Sequence, residues 1–195
     1  MADGSERRGR ELKRKLFYAL VGECITAWAA VEHQLFYLFA QALFGVVADG
    51  EKAALLFWTF PNFGMRLSYT SMLVKHCLRT GQGKKTDAQK YWKELNDEIK
   101  ELSSFRNLVA HQPIAPDKIV PAFDEKYYTV LTWVDEMIIP NELDAKKTFN
   151  PIKEVDLEAH LKSLSQVREK LKHVSVNLQH WKEIAQETFS DNESI

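Results

Sequence analysis

Residues 86–113 read TDAQKYWKELNDEIKELSSFRNLVAHQP, and this stretch decides the fold. Thr86 followed three residues later by Gln89 is a capping-box signal, in which each side chain satisfies a backbone N–H of the first helical turn. From there Trp92, Leu95, Ile99, Leu102, Phe105 and Val109 recur at steps of three and four, the spacing of one helix face. Pro113 disfavours helical geometry in the residue before it, so the helix is expected to end near His111 or Gln112. A helix with one clean apolar stripe must bury it against other elements.

The rest of the chain supplies those partners. Leu16, Leu20, Cys24, Ala27, Val31, Leu35, Leu38 and Ala42 carry the helical period from about Arg10 to Phe44, widened by Trp28, Phe36 and Phe39, and Gly45 and Asp49-Gly50 end the run. Residues 51–60 and 65–80 read as a helix broken at Pro61-Asn62-Phe63-Gly64 and closed by Gly81-Gln82-Gly83. The last helix starts at Asn150-Pro151 or Asp156, and Leu164, Val167, Leu171, Val174, Leu178, Trp181 and Ala185 form a coiled-coil-like seam. Ile119 to Phe123 and Tyr127 to Trp133 are rich in β-branched and aromatic residues and flank Asp124-Glu125-Lys126, a pattern for a short β-hairpin. The expectation is an all-α, up-and-down bundle of about four long helices with that hairpin between the third and the last. Residues 1–9 read as disordered, 10–188 as a single helical domain and 189–195 as a loose tail.

With 195 residues, 45% of them hydrophobic, one sizeable core is expected. The net charge of −1 excludes a generally basic nucleic-acid binder, so any RNA contact has to come from a local patch. Arg7, Arg8, Arg10, Lys13, Arg14 and Lys15 form one such patch and Lys84-Lys85 another, although such runs are more often solvated ends. Cys24 and Cys77 have no metal-type or redox-type spacing, and the histidines show no convergence of metal ligands, so neither metal nor cofactor is expected. His33, His76, His160, His173 and His180 default to solvated or core-edge positions. Phe57, Trp58, Phe60 and Phe63 read as core packing before they read as a ligand pocket. With no secretory signal and no apolar run of the roughly 18 residues that a membrane span needs, a soluble, cytoplasmic chain is expected.

Chemistry concentrates at the end of the third helix. Arg106 offers a planar fork of donors suited to phosphate, and His111 stands in a last turn whose unpaired carbonyls favour the imidazolium form. Arg106-Asn107-Leu108-Val109-Ala110-His111 resembles the Arg-x4–6-His motif of the HEPN superfamily, the higher eukaryotes and prokaryotes nucleotide-binding domain. That resemblance implies a helical bundle, dimerisation at the motif and, in many members, metal-independent endoribonuclease activity that leaves a 2′,3′-cyclic phosphate and a 5′-hydroxyl. It also implies a toxin or defence role with RNA as substrate and an antitoxin or regulatory partner. Other members are non-catalytic modules that bind a partner protein or a nucleotide. A second match to the spacing, Arg168 with His173, lies inside a charged helix without a terminating proline and reads as a solvated face.

Three expectations follow for the site. Arg106 projects into the apolar stripe between Ile99 and Leu102, where a cation needs a carboxylate; Glu32, projecting among Ile25, Trp28, Phe36, Phe39 and Leu43, or another carboxylate of the first helix is the expected partner. A buried Arg–Glu pair holding two helices together is the purely structural alternative. Ser104, Asn107 and His111 share a face, whereas Arg106 and His111 diverge by about 140° on a regular helix. A symmetric homodimer would bring Arg and His from two chains into one cleft, with His111 as general acid or base, Arg106 stabilising the transition state and Asn107 orienting either.

Overall fold

The computed structural model describes residues 4–45, 50–79, 86–111, 114–122, 130–138 and 152–190. The fold is an all-α helical bundle. Among the described residues there are five helices, α1 (Gly4–Phe44), α2 (Gly50–Thr59), α3 (Phe63–Cys77), α4 (Asp87–His111) and α5 (Glu154–Ser190). Two strands, β1 (Ile114–Ala122) and β2 (Val130–Ile138), pair antiparallel between α4 and α5, with Ile114 opposite Ile138 and Ala122 opposite Val130. The strands are longer than the hairpin segments expected from composition, and residues 124–126, expected to turn, lie outside the described residues. So do Gly81-Gln82-Gly83, Lys84-Lys85, Pro113 and Asn150-Pro151.

Helix boundaries follow local chemistry. The Thr86 and Gln89 side chains exchange hydrogen bonds with each other's backbone N–H, both at 3.3 Å, completing the capping box. Asn62 caps α3 by accepting from the Met65 N–H at 2.9 Å, which explains why the break after Phe60 restarts at once as helix. At the start of α5, Asp156 reaches back to accept from the Lys153 N–H at 2.9 Å. Gly45 closes α1 with a positive φ of 82°, its N–H donating to the Gln41 carbonyl at 2.8 Å. α1 begins at Gly4, earlier than the Arg10 start read from the sequence, through residues of good helix propensity such as Glu6, Arg7 and Arg8.

The chain divides into two compact units. One comprises residues 27–103 and 163–195. Its core joins Trp28, Val31, Leu35 and Leu38 of α1, Phe57 of α2, Leu67 and Val74 of α3, Trp92, Leu95 and Ile99 of α4, and Leu164 to Leu178 of α5. The stripes of the first, third and last long helices therefore do meet in one core, as their matching periods predict. Aromatic contacts add to it: Phe57 lies edge-on to Phe36 at 5.6 Å, and Phe60 stacks on Tyr69 at 4.3 Å. The aromatics around the helix break are thus largely packing, with Trp58 the member left half exposed.

The other unit comprises residues 1–26 and 104–162. Its described core is smaller, Phe17, Cys24, Val109, Ile152 and Leu157, with Leu20, Phe105, Leu108 and Leu161 against it. At the start of α1 the stripe turns by one residue relative to its sequence reading, since Phe17 is buried while Leu16 is exposed.

Candidate functional site at the end of α4

The last turns of α4 are sorted by burial. Phe105, Leu108 and Val109 face the smaller core, while Ser104, Asn107, Ala110 and His111 are exposed. The helix ends at His111, as expected from Pro113. Ser104, Asn107 and His111 accordingly occupy one accessible face, at intervals of three and four residues.

Arg106 is half buried, and its Nη1 donates to Oδ1 of Asn107 at 3.0 Å. With the carbonyl oxygen of Asn107 used in this way, the amide N–H groups are left to meet a carboxylate, a phosphate or an imidazole. The expected pairing of Arg106 with Glu32 is corrected. Glu32 forms its ion pair with Arg66 at the start of α3, both side chains being about 15% exposed. Arg66 is held on every side: it donates to the Phe60 carbonyl at 3.2 Å and lies 4.6 Å over the Trp58 ring. A helical projection identifies the face on which a carboxylate lies, but the helix that lies opposite chooses its cation. Glu32 is therefore a structural anchor of the larger unit.

One residue beside the motif was not picked out by sequence reasoning. His160 of α5 is 4% exposed, its ring lies 4.4 Å from that of Phe105, and its Nε2 is buried without a hydrogen-bond partner among the described residues. Burial pushes its pKa down to about 4, so the imidazole is neutral near pH 7. The signal was available in the seam: carrying the spacing of Leu164 and Val167 back through the helix places His160 and Leu157 on the same inward positions.

Burial disfavours the thiolate form of both cysteines. The Cys24 thiol donates to the Leu157 carbonyl at 3.6 Å, and burial pushes its pKa up to about 11. Burial likewise raises Cys77, whose thiol donates to the Ala42 carbonyl at 3.5 Å. Among the described residues no group of three or more His, Cys, Asp or Glu side chains is placed to hold a metal, and no helix is long and apolar enough to cross a membrane.

Comparison with known protein families, with curated proteins and with solved structures finds none that matches this chain.

Proposed function

We propose that the chain is a HEPN-type, metal-independent endoribonuclease that acts as a homodimer, with Arg106, Asn107 and His111 as its catalytic residues and single-stranded RNA as its substrate. The observation that carries this reading is the Arg106–Asn107 hydrogen bond set beside an exposed histidine at the very end of α4. Arg106 is held in place by its neighbour, and Asn107 and His111 open on one face.

In this mechanism His111 takes the proton of the 2′-hydroxyl or delivers one to the departing 5′-oxygen, while the guanidinium of Arg106 stabilises charge on the phosphorane-like transition state. The attacking 2′-oxygen forms a bond to phosphorus as the bond to the 5′-oxygen breaks, leaving a cyclic phosphate. Asn107 orients His111 or the phosphate through its free amide N–H groups, and Ser104 lines the same face. Because Arg106 and His111 diverge around one helix by about 140°, the active cleft combines groups from two protomers. A toxin or defence role, held in check by an antitoxin, fits such an enzyme.

The half-burial of Arg106 favours one second reading, a non-catalytic module that uses the same face to bind a partner protein or a nucleotide. One assay separates the two. The purified protein, in EDTA, is expected to cut single-stranded RNA into fragments with cyclic phosphate ends, and light scattering is expected to report twice the chain mass. No cleavage across a broad RNA panel, or a strict monomer, rejects the ribonuclease reading and leaves the binding module.

A further inference from the structure

The larger unit contains a groove of about 550 Å3 lined by α3 and α4, within the size range of small-molecule sites. Two of its lining side chains, Ser71 and Asn96, are each only 6% exposed. Asn96 is not fully satisfied among the described residues, and Ser71 has one hydrogen bond there. Oδ1 of Asn96 is buried with no donor among the described residues. Ser71 Oγ accepts the Trp92 indole N–H at 3.2 Å, which leaves its own hydroxyl hydrogen to find an acceptor. Next to it, Asp97 sits below the usual carboxylate range chiefly through its hydrogen bond from Lys100.

A buried acceptor without a donor is costly to leave, and a folded protein tolerates it where something else completes it. A hydroxyl group is the smallest organic group that donates and accepts at once. Charge at the groove is supplied by Lys75, exposed, and Lys100, whose ammonium is 3.1 Å from Asp97. The charged side chains that line the groove are both cations.

We propose that this groove binds a small polyhydroxylated anion, a sugar phosphate or a sugar acid, with a ligand hydroxyl completing Ser71 and Asn96 and the charged end meeting Lys75 and Lys100. The groove and the motif at the end of α4 belong to different units, so this site stands independently of the ribonuclease reading.

The test follows the Trp92 indole N–H in nitrogen-15 spectra of the full chain, its resonance identified as the one that moves in Ser71→Ala. Ribose 5-phosphate and gluconate are the probes, with ribose and inorganic phosphate as controls. The resonance is expected to move saturably with one of the two probes at a Kd of about 1 mM or tighter, and with either control at least about tenfold more weakly. Whichever probe binds more tightly assigns the anion. Lys75→Gln with Lys100→Gln is expected to weaken binding at least about tenfold, and Asn96→Leu to abolish it. No saturable movement up to about 10 mM identifies a groove that holds only water and overturns the proposal, as does binding unchanged by the two lysine replacements.

Discussion

Two regions of this chain divide its work. Among the described residues the unit of 27–103 and 163–195 buries twenty apolar side chains in one cluster, including Trp28, Phe57 and Trp92, whereas the unit of 1–26 and 104–162 buries five. Their arginines differ in the same sense. Arg66, in the larger unit, is spent on Glu32, a backbone carbonyl and an aromatic face, while Arg106, in the smaller one, is bonded to Asn107 next to an open histidine. The motif's polar side chains stand exposed beside Phe105, Leu108 and Val109, which pack in the described core of the smaller unit. A site that must admit a polymer is better placed there, since burying its polar groups would carry a desolvation cost.

The sharpest way to break that division is to truncate one fully buried side chain in each core. Trp92→Ala is expected to cost about 3–5 kcal/mol, from lost burial, the cavity left behind and the stranded Ser71 hydroxyl. Leu157→Ala, which removes a smaller side chain from a fully buried position, falls near the low end for such changes, about 2 kcal/mol. Urea denaturation measures both. Equal losses would show that the smaller core is as tightly built as the larger.

Glu32→Ala addresses the arginines. It leaves the Arg66 guanidinium mostly buried without its carboxylate, at an expected cost of about 3 kcal/mol, with cation–π contact to Trp58 as partial compensation. A loss below about 1 kcal/mol, the usual worth of a surface pair, would demote the pair to a surface ornament. Read from the sequence, this carboxylate belonged to the candidate site; in the structure it belongs to the scaffold.

That difference marks where sequence reading stops. The limits of α4 were legible because they depend on neighbours along the chain: the reciprocal Thr86 and Gln89 bonds, and the stop at His111 before Pro113. The joint core of α1, α4 and α5 was legible because period fixes which face is buried. The partner of Glu32 was not, because periodicity is blind to which helix lies opposite; Arg66 follows the Asn62 cap, and only the restart of α3 brings it into place. The Arg106–Asn107 bond links adjacent residues whose faces diverge in projection, and such a contact depends on rotamers that a helical wheel does not contain. His160 was hidden by its residue type, since histidine defaults to the surface unless the seam is carried back to include it.

His160 also supplies a titration that distinguishes the two units. Its folded-state pKa of about 4 lies below the ordinary value of 6.5, so the unfolded chain binds the proton more readily. The stability from keeping this ring neutral is complete above about pH 6.5 and is lost as the pH falls from there through 4, by something on the order of 3 kcal/mol. His160→Leu, which keeps an apolar side chain against Phe105, is expected to flatten the stability profile across that window. Urea midpoints at several pH values report it. An unchanged acid slope would mean that other groups, not this ring, govern acid sensitivity.

The smallest expected effect on stability falls on the residue with the largest expected role. His111 is exposed, at the C-terminal turn of α4. Its loss in His111→Ala removes at most the favourable interaction of a cation with the last helical carbonyls, about 1 kcal/mol or less. The variant should therefore melt close to the parent and keep its oligomeric state while losing RNA cleavage altogether. Arg106→Ala supplies the contrast, because it also deprives Asn107 of the bond that holds it, and a drop in stability is expected to accompany its loss of cleavage. If His111→Ala cuts RNA as well as the parent, the exposed face of α4 is not a catalytic surface. If instead it destabilises by several kcal/mol, His111 belongs to the scaffold of the smaller unit, and the division between a stable unit and a chemical one fails where it matters most.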